Sequence, residues 1–339
     1  MWTTSIRLLA AAAASLALAG CATAPQAAAP GSFSFGLWGD MPYAKAGDAP
    51  KMPALLASIN ASDIAFSIYD GDIKDGSSRC DDQVFDDALG MFNSLKQPVF
   101  YVPGDNEWTD CHRLNNGGFD ALERLGFLRK KMYAQTGSLG QQRLPAEAQG
   151  KPGEAYVENQ RFERGGVMFV TLNIPGSNNN LVLSAAECTN KSARKQAQCD
   201  AGNAEFLARD EANVRWLQES FAKARAAGLI GVVVVFQADP GFDLPETESV
   251  DESQAASVSG YRNFMSVLAA ETVKYKGQVL MVHGDTHYFK LDMPLHAPGK
   301  TLVNFTRLQT FGSPSIHWVR VVVDPANPRV FSVQPVMVP

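Results

Sequence analysis

Five short apolar segments, each running into a polar cluster that holds a carboxylate, constrain this chain more than any other feature of its 339 residues. Segment 34–38 runs into Gly39-Asp40, 64–69 into Asp70-Gly71-Asp72, and 99–102 into Pro103-Gly104-Asp105. Segment 229–236, with four consecutive valines, ends at Gln237-Ala238-Asp239, and 278–282 ends at His283-Gly284-Asp285-Thr286-His287. Between them, amphipathic helices are expected over 52–59, 84–95, 119–132, 204–226 and 261–275. In the fourth of these, Phe206, Val214, Leu217 and Phe221 recur at helical spacing and give a core face. Strands that are apolar throughout, alternating with such helices, imply an α/β fold with the sheet covered on both faces. A hairpin-like pair at 155–162 and 167–172 interrupts the alternation, and past Phe289 strands alone are expected, at 301–309, 316–323 and 330–338. No internal repeat and no strong linker divides 32–339, which reads as one domain.

In α/β sheets, ligands bind beyond the carboxyl ends of the strands. A lone Gly-Asp is more often a turn. Several aspartates converging on one sheet edge would repel one another unless a cation neutralised them, so the series points to a metal site. With Lys+Arg 30 against Asp+Glu 35 and a net charge of −5, the chain has no electrostatic footprint for nucleic acid. It also has only five histidines, so a site rich in imidazole would need nearly all of them.

The N-terminus reads as an address. Arg7 precedes an apolar Leu/Ala run that ends in Leu18-Ala19-Gly20-Cys21, which resembles a bacterial lipoprotein signal. The resemblance implies a signal peptide over 1–20, lipidation of Cys21 as an anchor to the membrane, and a tether over 21–31. Ala22 after the cysteine implies a periplasm-facing lipoprotein of the bacterial cell envelope, at the outer membrane. Export leaves Cys80, Cys111, Cys188 and Cys199 in an oxidising compartment, where three pairings are possible. Cys188–Cys199 closes a short polar loop and is favoured, which leaves Cys80–Cys111 by elimination. A zinc site is the alternative, although no CxxC or Cys/His cluster supports it.

The strand-end clusters, in their order, resemble the motifs of the calcineurin-like metallophosphoesterase family. Gly39-Asp40-Met41-Pro42, Gly71-Asp72-Ile73-Lys74-Asp75-Gly76, Gly104-Asp105-Asn106-Glu107, Gln237 and Gly284-Asp285-Thr286-His287 stand where that family has its metal-binding signatures. The resemblance implies a four-layer α/β/β/α sandwich of mixed sheets with two divalent metal ions at the carboxyl edge. It implies hydrolysis of a phosphomonoester or phosphodiester, by metal-bound hydroxide attacking phosphorus. One metal would see Asp40, Asp72 and His287, and the other Asp72, Asp105, Gln237 and Asp285, with Asp72 as the bridge.

The departures from the family pattern are informative. Pro42, Asn106, Gln237 and Asp285 replace family histidines, and Asp105 replaces an asparagine. The ligand set becomes oxygen-rich, which favours Mg, Mn or Ca over Zn or Fe. Asn106 can orient a phosphoryl oxygen but cannot protonate a leaving alkoxide, so His283 or Glu107 is the candidate acid. Each has a structural alternative, His283 as a hydrogen-bonding residue at the strand end and Glu107 as a support for Trp108 or the backbone. His112 and Arg307 are weaker candidates, the latter for binding phosphate. The expected partner is a phosphate-ester small molecule or envelope substrate. The contrasting expectation is a non-catalytic, metal-stabilised binding lipoprotein with a degenerate site.

Overall fold

A computed structural model describes residues 31–244, 250–297 and 300–339. The expected signal peptide, Cys21 and all of the tether but Gly31 lie outside the described residues. The strands are β1 (Phe33–Trp38), β2 (Ser67–Tyr69), β3 (Val99–Tyr101), β4 (Glu147–Ala148), β5 (Gln160–Arg164), β6 (Val167–Thr171) and β7 (Gly231–Val235). They continue with β8 (Gln278–His283), β9 (Lys290–Asp292), β10 (His296–Ala297), β11 (Lys300–Thr301), β12 (Phe305–Gln309), β13 (Trp318–Val323) and β14 (Phe331–Val336). They form a five-stranded sheet in the order β14-β13-β1-β2-β3 and a seven-stranded one in the order β4-β5-β6-β7-β8-β12-β9, with β10 and β11 as a small ribbon. Both large sheets are mixed. In the first, β1, β2 and β3 run parallel, and in the second β6, β7, β8 and β12 do.

The strands are apolar throughout because both of their faces are covered. The pleat sends alternate residues to opposite sides. Phe35, Leu37, Val233, Val235, Leu280 and Val282 meet between the two sheets, around Phe66, Phe100 and Phe169. Phe35 stacks on Phe66 at 5.4 Å between ring centroids, and Phe169 meets Phe66 edge-on at 5.0 Å. On the outer face of the first sheet, Trp38, Tyr69 and Tyr101 pack against helices Met52–Ala61, Asp82–Asn93 and Ala121–Met132. On the outer face of the second, Val170, Val232 and Val234 pack against Gln196–Ala226 and Arg262–Lys274. Each sheet is therefore covered on one face by the other sheet and on the other by helices. Fully burying an aliphatic or aromatic side chain contributes roughly 1.5–3 kcal/mol, so this double coverage is the main stabilising term.

Several boundaries differ from the sequence expectation. The expected strand at 155–162 shortens to β5, which pairs with β6 across Gly165-Gly166, both at positive φ as a two-residue hairpin turn requires. The long helix begins at Gln196 rather than near 204, because its first turns carry Asn, Gln and Asp and lack the apolar period. Strand register sets the next level. Trp38, Tyr69 and Tyr101 lie side by side, and so do Thr171, Val235 and Val282, so the parallel strands of each sheet release their loops at one edge. Among the described residues no helix is long and apolar enough to cross a membrane.

Candidate metal centre

The loops leaving the parallel strands interlock through glycines that admit the neighbouring carboxylate. A Cβ on Gly104 would stand 2.1 Å from Asp72 Oδ1, and one on Gly284 would stand 2.2 Å from Asp40 Oδ2. The glycines of these Gly-Asp pairs are thus needed for close approach, whatever turn they make. Asp40, Asp72, Asp285 and His287 all hold left-handed backbone, at φ +51, +63, +71 and +63. Non-glycine residues seldom adopt it, and such residues concentrate at functional sites.

Two ligand groups result, each with candidate ligand atoms within 4.8 Å of one another, and Asp72 belongs to both. The first is Asp40, Asp72 and His287, and the second is Asp72, Asp105 and Asp285. His287 Nδ1 lies 2.7 Å from the Ser313 carbonyl, which can only accept, so Nδ1 carries the proton and Nε2 faces the carboxylates. Burial is the first reason that the Asp40, Asp72 and Asp285 carboxyls are held above the usual carboxylate range, and neighbouring carboxylates add to it. Burial opposes a charge on His287, but Asp40 outweighs it and raises the imidazole. A buried cluster of this sign matches a cationic occupant in charge and in donor chemistry.

Tyr43 enters this cluster, a residue that the sequence reading passed over. Its hydroxyl lies 3.0 Å from Asp72 Oδ2 and 3.0 Å from His287 Nε2, beside the first ligand group. The reading stopped at Pro42, where the family pattern has histidine. The chain turns there, and the residue after it carries an oxygen to the ligands. Asp75 fixes that turn by accepting from Ala44 N at 2.9 Å. Burial and the carboxylates of Asp72, Asp40 and Asp105 push the Tyr43 phenol well upward, so it keeps its proton and donates.

The other expected site residues divide. Asn106 Nδ2 donates to Asp72 Oδ2 at 2.6 Å, which places its amide against the shared ligand. Gln237 differs from expectation. Gly176 N, which can only donate, lies 2.5 Å from Gln237 Oε1, so Nε2 faces Asp105 and Asp285 at 3.3 and 3.2 Å. It braces two carboxylates instead of offering them a cation ligand. Glu107 is wholly buried and accepts from Gly104 N, Asp72 N and Tyr101 OH, so it pins the loops from beneath. His283 is wholly buried, with Nδ1 against the Gly284 carbonyl. Burial depresses its imidazole to about 4, and the structure gives neither residue a contact suited to acid catalysis. Arg307 is engaged by Asp292 and stacks over Phe242, away from the ligands.

The wall opposite the strand ends comes from the segment after β6. Ser177, Asn178, Asn179 and Asn180 all have positive φ, a left-handed turn that asparagine tolerates best among non-glycine residues. Ser177 Oγ lies 2.7 Å from Asp105 Oδ2 and 2.8 Å from Asp110 Oδ1, and Arg113 pairs with Asp110 at 2.7 Å. The fully buried Arg209 fixes the turn by donating to Asn173 O, Asn179 O and Asn179 Oδ1. Both disulfides brace this wall, Cys80–Cys111 beside Asp110 and Cys188–Cys199 at the start of the long helix. No signal in the sequence marked Ser177, Asp110 or Arg113.

The sequence matches no family profile and no curated protein. Solved structures do resemble it. PhoD is 13% identical with a TM-score of 0.52, over 89% of this chain and 65% of PhoD. GAP50, the anchor in the inner membrane complex of Plasmodium, is 11% identical with a TM-score of 0.46, over 91% of this chain and 89% of that one. Purple acid phosphatase PPD1 from yellow lupin seeds is 12% identical with a TM-score of 0.47, over 86% of this chain and 49% of that one. This chain therefore spans less than two thirds of the length of PhoD and of the lupin enzyme. The likeness to PhoD shows the fold, a sandwich of two mixed sheets covered by helices.

Proposed function

We propose that the protein is a metal-dependent hydrolase of phosphoric esters, and the observation that carries this is the sharing of Asp72 between two ligand groups. A pure binding site needs no shared carboxylate. Asp40, Asp72 and His287 would hold one divalent cation, and Asp72, Asp105 and Asp285 the other. Such cations neutralise charge on the phosphoryl oxygens and acidify a bound water. The chain's own residues do the rest. Asn106 and Tyr43 fix the orientation of Asp72, Ser177 and Gln237 fix Asp105, and Arg113, paired with Asp110, stands beside Asn106. His287 is the one nitrogen ligand in these two oxygen-rich groups, which favours Mg, Mn or Ca over Zn or Fe.

The reading extends to location. The Cys21 signature supports an exported lipoprotein held at the bacterial envelope, acting on a phosphate ester there. Gln237 favours a second reading, a binding protein without turnover, because an amide N–H stands where the family has a metal ligand. Assay of p-nitrophenyl phosphate and bis-p-nitrophenyl phosphate with Mg, Mn, Ca and Zn separates the two. The hydrolase reading expects turnover that Asp72→Asn abolishes. Equal inactivity of both proteins with every metal, while the phosphate analogue still binds, would reject it. Stoichiometric zinc or iron in the natively purified protein would overturn the hard-cation assignment.

A further inference from the structure

A cavity of about 300 Å³ opens beside the metal centre, on the wall built by the segment after β6. Ser177 and Asp110 line it and also hold Asp105, so cavity and ligand cluster share a wall. Arg113, His112 and Arg194 line it as well. Arg113 is neutralised by Asp110. Arg194 is not neutralised in the same way. Its Nε donates to the Cys188 carbonyl at 3.2 Å, but among the described residues it forms no ion pair and its terminal nitrogens have no hydrogen-bond partner. The Asp110 and Glu187 carboxylates share this cavity and attract Arg194 without pairing with it, and a half-buried guanidinium whose terminal nitrogens lack a partner is costly to desolvate and suits an incoming anion. Burial first, and then the charges of Arg194 and Arg113, depress the His112 imidazole to about 3, so both guanidiniums act on this wall. Two further groups on this wall, His112 Nδ1 and Asn180 Nδ2, are buried without a partner.

Resting on the hydrolase reading, we infer that this cavity receives the remainder of the substrate and that Arg194 binds a second anionic group on it. The substrate class is then a compact, hydroxylated phosphoester with a second phosphate or carboxylate. The cavity is at the small end for ligand sites, and its lining is polar, with amide and hydroxyl side chains beside the ionisable Asp110, Glu187, His112, Arg113 and Arg194. Among the described residues Leu181 and Val182 are its only aliphatic contributions, too little for an acyl chain.

The test is calorimetric binding to the Mn-loaded protein of two non-hydrolysable phosphonates, 3-phosphonopropionate and propylphosphonate, which differ by one carboxylate. Wild type is expected to favour the carboxylated compound at least tenfold. Arg194→Gln should bring the ratio to about one, while Arg194→Lys retains part of it. No preference in wild type, or an undiminished one in Arg194→Gln, overturns the inference. Near-ultraviolet circular dichroism confirms that each variant keeps its tertiary packing. A p-nitrophenyl phosphate assay runs alongside. Preference without turnover sinks the hydrolase reading and leaves the anion site standing, and turnover without preference does the reverse.

Discussion

The two sides of the ligand cluster are built by opposite means. On one side, Asp40, Asp72, Asp105, Asp285 and His287 follow directly from strand ends, and each is placed by local chain geometry within a few residues of a buried strand. On the other, Ser177 reaches Asp105 across 72 positions, and Arg209 holds Asn179 from a helix 30 positions away. The first side is fixed by the sheets and the second by individual long-range bonds and cross-links. Damage to the first should therefore abolish chemistry, and damage to the second should loosen substrate while the cations remain.

The largest effects are expected on the strand-end side. Asp72→Asn should lower phosphoesterase rate by roughly 10³-fold or more, because it removes charge from both ligand groups at once. Gly104→Ala tests the same side through the backbone. Its Cβ must displace Asp72, so about 1–3 kcal/mol of stability and bound metal should both be lost, read by denaturant melts and metal analysis. A fully active Gly104→Ala enzyme would break the claim that the loops interlock through glycine.

Arg209→Met comes next. Removing a fully buried guanidinium that satisfies two carbonyls and an amide should cost about 2–4 kcal/mol. KM should rise more than kcat falls, with metal stoichiometry preserved. Loss of metal together with substrate would erase the distinction between the two sides. The paired change Cys188→Ser, Cys199→Ser opens an 11-position loop, for which chain entropy gives about 3 kcal/mol at most. Steady-state kinetics should again show the change in KM.

The smallest effect is a pH dependence on the cavity side. His112 titrates near 3 in the fold, below its usual 6.5, so it stays neutral where the unfolded chain takes up a proton. Its contribution is complete above pH 6.5 and is lost as pH falls toward 3. With partial exposure discounted, about 1 kcal/mol should disappear by pH 4.5, and His112→Asn should flatten that part of the stability curve. An unchanged slope would show that burial and the neighbouring guanidiniums do not hold the imidazole neutral.

How far the sequence could be read follows the same division. The strand-end aspartates were legible because apolar runs, Gly-Asp pairs and their order are local signals. The two-sheet packing was legible only through the family pattern, since a run such as Val232 to Val235 shows that both faces are buried but not what buries them. Tyr43 was missed because its role depends on a turn at Pro42, and the wrong amide atom of Gln237 was expected at the cluster because Gly176 N, 61 positions away, decides its orientation. The Gly176–Asn180 turn shows neither helical nor strand period, and its meaning lies in partners distant in sequence.

The ligand cluster also draws on both sheets. Asp40, Asp72 and Asp105 follow strands of the first, whereas Asp285 and His287 follow β8 of the second. A cation held between them is a cross-link from one sheet to the other at the open edge of the sandwich, where the apolar interface ends. Since the unfolded chain cannot assemble that edge, free cation at a hundred times its Kd should stabilise the fold by about 2.7 kcal/mol. Chelation should lower the melting temperature accordingly, and the midpoint of unfolding would serve as a gauge of cation occupancy even in a variant that turns over no substrate.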